Sequence, residues 1–315
     1  MTTTFIQTLT IGVVGAALIA GCTSGESMSD RSDAGEDDPV VETRYGAVAI
    51  EAIDQVSGDT TTTEIDVQAQ FLDARGVAIG PALDALEAWA LPRGLDEGEC
   101  RRVDGGIDSS NNLSSATLHL LDVGDIEVTS PGDDRLSLEA RQLPDLLNSF
   151  HGVVYGSQWS GDDPSEPLDY RPGESYRVTA PGSAEAGGFD VTLEAPQPVI
   201  LAAANGHPLY DRQEISVDPG QQGLELVWET DGDEDGEVIV ELAMGTGPYD
   251  ARLQCRSDDS GALTVPADGL RQLGSGGDRA TLTLRRVHRR NHSVDGLDDV
   301  DFYFATSDDI DVYLR

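Results

Sequence analysis

Short runs in which apolar and polar residues alternate recur along most of the chain, and they predict strands. Tyr45–Glu51, Glu64–Phe71, Ala116–Leu121, Asp125–Thr129, Ser175–Ala180 and Phe189–Leu193 carry this period of two. It returns in Leu224–Trp228, Glu237–Leu242, Ala280–Leu284 and Asp301–Ala305. Each run would bury one face and wet the other, and Gly, Pro and Asp separate them. That rhythm predicts an all-β chain of antiparallel sandwiches. Helical spacing is confined to two places. Pro81–Ala90 sets Leu83, Leu86 and Trp89 or Ala90 on one side behind a leading proline, and Pro266–Leu273 is long enough for one or two turns, weakened by Gly269. Ala195-Pro-Gln-Pro198 interrupts two alternating flanks, and proline cannot donate to a central ladder. We therefore expect two sandwich domains, 43–196 and 197–315, without an internal repeat.

The first 42 residues have a different pattern. Ile11–Ala20 is apolar throughout and ends in Ile19-Ala20-Gly21-Cys22. Ten apolar residues are too few to cross a bilayer, which takes about 20. A run of that length closing on small residues reads as a cleavable export signal. Ile19–Cys22 resembles the lipobox of bacterial lipoproteins, although Met1–Thr10 lacks Lys and Arg. The resemblance implies a signal peptide over 1–21, a lipidated Cys22 as the mature N-terminus, and stable anchoring in a lipid bilayer by several acyl chains. Thr23, rather than Asp, after the cysteine suggests the outer membrane. Residues 23–42 are Ser, Gly and acid with one arginine, a composition that cannot bury enough apolar area to fold and that suits a disordered tether.

Charge narrows the partners. The 315 residues include 58 acids against 20 bases, for a net charge of −38, and every base is arginine. Such a surface repels nucleic acid and anionic headgroups. Self-repulsion keeps the protein soluble, and salt should stabilise it by screening. With Cys22 claimed by the lipobox, Cys100 and Cys255 remain. In an exported protein the pair forms either a disulfide across the two domains or two buried thiols.

Longer segments resemble a known group. Tyr170-Arg-Pro-Gly-Glu-Ser-Tyr-Arg-Val-Thr-Ala-Pro-Gly182 and Phe189–Pro196 are succeeded by Leu224–Glu229, an acidic turn, Glu237–Leu242, Cys255 and Thr264–Leu270. Together with the lipobox, this succession is similar to uncharacterised envelope lipoproteins of the myxobacterial type. The resemblance implies immunoglobulin-like sandwiches on the cell envelope and carries no activity with it.

Candidate chemistry is sparse. Asp231, Asp233 and Asp235 before Gly236 match the opening of a calcium loop, but Leu242 stands where the full motif needs glutamate and the flanks are strands. A hairpin with a solvated acidic tip explains the same residues. His288 and His292 have a zinc-compatible spacing on a helix, yet the local sequence Thr281–His292 reads as strand then turn, and Arg285, Arg286, Arg289 and Arg290 stand beside them. That basic stripe either pairs with neighbouring acidic strands or docks an acidic partner. No nucleophile elbow or phosphate loop is present. The expected role is therefore non-enzymatic, structural or in interaction, with no cofactor unless calcium binds. Two alternatives stand beside it: a carbohydrate- or protein-binding adhesive module using Tyr155, Trp159, Tyr170 and Tyr176, and an envelope hydrolase built on two carboxylates.

Overall fold

The computed structural model describes residues 40–41, 44–57, 60–74, 77–78, 91–92, 95–103, 118–142, 150–157, 168–209, 214–219, 223–232, 236–245, 251–274 and 278–315. Their structure is mostly β. Cys22, the signal segment, the tether up to residue 39 and the expected helix over Pro81–Ala90 lie outside these residues; Val40–Val41, expected in the disordered tether, instead pair as a strand with Val77–Ala78, where two valines can share backbone hydrogen bonds.

Among the described residues, eleven strands form one large sheet. Its centre is a long hairpin, β20 (Asp278–Val294) and β21 (Leu297–Leu314). On the far side of β20 come β17 (Glu237–Ala243), β18 (Arg252–Asp258) and β5 (Cys100–Val103). On the far side of β21 lies β2 (Arg44–Ser57), joined in parallel, then β3 (Thr60–Asp73), β6 (Leu118–Leu120), β10 (Phe150–Gly156) and β9 (Arg141–Gln142). β15 (Ile215–Val217) takes the last stretch of the β21 edge. A separate pair joins β1 (Val40–Val41) and β4 (Val77–Ala78).

Two four-stranded sheets pack on one face of this platform. The first is β12 (Gly187–Glu194), β11 (Ser175–Gly182), β7 (Ile126–Thr129) and β8 (Arg135–Leu138). The second is β14 (His207–Pro208), β13 (Leu201–Ala204), β16 (Leu224–Trp228) and β19 (Ala262–Val265). Because side chains alternate along a strand, even-numbered residues of the hairpin look toward both small sheets. Phe302 and Phe304 enter the first core with Phe71, Tyr176 and Phe189. Leu282, Leu284, Ile310 and Val312 enter the second with Leu226, Trp228 and Val240. The Phe304–Tyr176 and Phe302–Phe189 ring pairs, edge-on at 5.0 and 5.1 Å, lock the first sheet to the platform.

The Ala195–Pro198 stretch coincides with the change of core: Ala195 belongs to the first and Val199 to the second. The platform nevertheless runs through both halves of the chain, and residues 37–315 form one compact unit. The short helix α1 (Ala267–Leu273) comes after Pro266 and buries Leu270 and Leu273. Gly269, unfavourable for a helix, lets α1 lie close against β18, since a Cβ there would stand 2.9 Å from Leu253 Cδ2 and push that side chain aside. At Gly152, φ is +120° and a Cβ would lie 1.9 Å from the Leu120 carbonyl oxygen, so only glycine allows the β6–β10 pairing.

Candidate functional site

Where the two cores meet, an even position of β20 holds arginine instead of a hydrophobe. Arg286 is 1% exposed. Its Nε donates to Asp259 Oδ2 at 2.8 Å, its Nη1 to the carbonyls of Gln197 (3.2 Å) and Pro198 (2.9 Å), and its Nη2 to Asp259 Oδ1 (3.2 Å) and to the Glu229 carbonyl. All five N–H groups are thereby used, as a buried guanidinium requires. Asp259 also accepts from Trp228 Nε1 at 2.7 Å and from the Asp231 amide at 3.2 Å. Burial alone would push the Asp259 carboxyl up, but the donors on it outweigh that and hold it below its ordinary value. Asp231 Oδ2 completes the cluster, 3.7 Å from Arg286 Nε and 3.6 Å from His288 Nε2.

This cluster fixes the wall of a cleft. With Gln197 and Pro198 held by Arg286, Thr306 Oγ1 adds a hydrogen bond to the Gln197 carbonyl (3.1 Å), and Asp308 Oδ2 accepts from the Leu201 amide (3.0 Å). The intervening Val199–Ile200 is pinned at both ends. Beside it opens a cleft of about 380 Å³, lined by Pro198–Leu201, Leu209, Tyr170, Ala52, Asp54, Thr63, Thr306, Asp308 and Ile310. Val199 turns into the second core, whereas Ile200 is 57% exposed, the one large hydrophobic side chain among the described residues left so open. Tyr170 donates its hydroxyl to the Pro196 carbonyl, and its hydroxyl pKa is raised chiefly by burial.

The basic stripe is split by strand alternation. Arg286 and Arg290 look toward the small sheets, Arg285 and Arg289 away from them. Arg290 Nη1 donates to the Thr192 carbonyl at 2.9 Å, and His288 Nδ1 lies 3.1 Å from the Glu194 carbonyl. Side chains of β20 thus cover backbone acceptors of the edge strand β12. On the opposite face two charge rows cross the platform. One runs Arg252–Glu241–Arg285–Glu51 and the other Arg256–Glu237–Arg289–Asp301, with contacts of 2.8 to 3.9 Å around Ile239 and Val287. Burial works against the Arg285 charge, but Glu51, Glu241 and Asp309 more than offset it and raise its pKa. A polar cleft of about 350 Å³ opens at the Glu237, Arg256 and Arg289 end of these rows. The expected pairing with acidic strands holds for Arg285 and Arg289, whereas Arg286 goes to Asp259 and backbone carbonyls and Arg290 to the Thr192 carbonyl, so the four point to two different faces.

The other candidates are distributed differently. Cys100 and Cys255 are bonded, directly opposite each other on β5 and β18. Asp231 is 4% exposed at its side chain and turned inward to Arg286 and His288. It is not part of a solvated tip, because a buried guanidinium attracts it; Asp233 and Asp235 lie outside the described residues. Tyr155 and Tyr176 are not surface platforms. Both are buried in the first core, where their hydroxyls accept from the amides of Val123 and Arg171. Trp159 lies outside the described residues. His292 sits edge-on to Phe302. Sequence reasoning missed Arg286 as a buried keystone, since four arginines in six residues read as one surface stripe. It missed the cleft too, although Val199-Ile200 straight after two prolines was a visible signal.

No family model and no curated protein matches the chain.

Proposed function

We propose that the chain is a non-catalytic lipoprotein of the bacterial cell envelope, held at the outer membrane through a lipidated Cys22 and acting there in interaction or structure. The observation that carries this reading is the Cys100–Cys255 bond. Disulfides persist in oxidising compartments and are rare in the cytosol, so the bond agrees with the export signal and lipobox read at Ile11–Cys22. The finer architecture belongs to the same proposal: two sandwich units of immunoglobulin-like character, 43–196 and 197–315, with Val294–Phe304 of the second unit completing the core of the first. The division of the buried residues into two cores at Ala195–Val199 supports it.

Expression with labelled palmitate tests the anchor. The label enters the native chain and pellets with membranes, while Cys22→Ser stays unlabelled and soluble. Equal labelling of both forms, or membrane retention of Cys22→Ser, overturns the reading. A second reading, an adhesive module that captures a partner, is favoured by the pinned and exposed Ile200 beside its cleft.

A further inference from the structure

We propose that the cleft at the junction of the two cores binds a cationic side chain carried on an apolar stem, presented by an arginine- or lysine-bearing segment of a partner protein. This deepens the interaction role proposed above. Three observations converge on it. First, Ile200 is the open hydrophobe of the described residues, and it is not loosely placed, since the carbonyls of Gln197 and Pro198 and the amide of Leu201 are all fixed by side chains of the platform. A contact residue that is already ordered loses little entropy on binding. Second, the walls are apolar through Pro198, Val199, Leu209 and Ile310, and the volume of about 380 Å³ suits one long side chain with its flanking backbone. Third, two carboxylates, Asp54 and Asp308, border the apolar walls, oriented by Thr63 Oγ1 (2.6 Å) and by the Leu201 amide (3.0 Å).

Low-dielectric walls beside fixed carboxylates focus negative potential into the cleft, and the −38 net charge adds a long-range field of the same sign. An anion or an anionic lipid headgroup is repelled. A purely apolar group would strip water from the exposed Asp54 carboxylate and offer it no hydrogen bond in return. A guanidinium or ammonium on a methylene stem satisfies both features, because such side chains lay their stems on apolar surface while the charge stays polar and hydrated.

The test uses purified Cys22→Ser protein in 0.3 M NaCl, with two labelled peptides of equal charge, Ser-Arg-Ser-Arg-Ser and the same peptide with each arginine stem shortened by two methylenes, monitored by fluorescence anisotropy. The arginine peptide binds about tenfold more tightly than its short-stemmed counterpart, the fold expected when two methylenes of one stem are buried on the apolar walls. Ile200→Ser abolishes that preference without moving Tm, since the side chain is exposed, and Asp54→Asn weakens both affinity and salt dependence. Equal binding of the two peptides, or a preference that survives Ile200→Ser, reduces the effect to bulk charge and overturns the proposal. The variant carries no lipid, so the outcome is independent of anchoring at Cys22.

Discussion

Arg286 illustrates how much one side chain can be asked to do. Its guanidinium sits where the hairpin passes from one core to the other, and every donor on it is spent on Asp259, Glu229 or the Gln197–Pro198 carbonyls. Arg286→Met removes the charge and leaves Asp259 and Asp231 buried beside His288 without their main partner. Removing one member of a buried ion pair costs about 3–5 kcal/mol, and equilibrium urea unfolding should record a loss of that size. Arg290→Ala, taken from an exposed position on the same strand, costs less than about 1 kcal/mol. The sequence could not separate these two arginines. Their difference depends on which small sheet, and which carboxylate, arrives opposite each, and Asp259 comes from the segment after β18, which has no local relation to β20.

At the scale of elements, strands whose polar face meets water were legible: Ser175–Ala180, Phe189–Leu193 and Leu224–Trp228 lie in β11, β12 and β16. The alternation failed where ion pairs bury charge. β20 continues through Arg285–Asn291, which reads as a turn, because Glu51, Glu237 and Glu241 neutralise its arginines; β21 likewise continues through Asp308–Asp311. Which strands pair across the chain was not legible either, since β2 and β21 carry no mark of being neighbours. Nor was β5 expected at the far edge of the platform, where it is bonded to β18 through Cys100. That bond closes a sequence separation of 155 residues. Replacing both cysteines by serine frees a loop of that length in the unfolded chain, with an expected stability loss of about 2–5 kcal/mol. Paired denaturation curves of the native and double-serine proteins measure it.

For the molecule as a whole, the excess of acid sets the response to solvent. In the two charge rows four arginines meet four carboxylates, so the surplus of 58 acids over 20 bases lies outside them and repels itself. Raising NaCl from 0.05 to 1 M shortens the Debye length from more than about 10 Å to about 3 Å, and Tm should climb steadily over that range. Sucrose at matched osmolality, which screens nothing, should not reproduce the salt slope. The Arg286–Asp259 pair, shielded from solvent, keeps its contribution throughout, so the increment in Tm is the same in the presence and absence of that pair.

The parallel seam between β2 and β21 also dictates when the chain can assemble. The first core needs Val300, Phe302 and Phe304, which lie far downstream of β2 in the chain, and β2 has no partner on that side until they emerge. A nascent chain therefore cannot close its first half early. The strand at Arg44–Ser57 waits, open along one edge, until Leu297–Leu314 has been made and can be laid beside it.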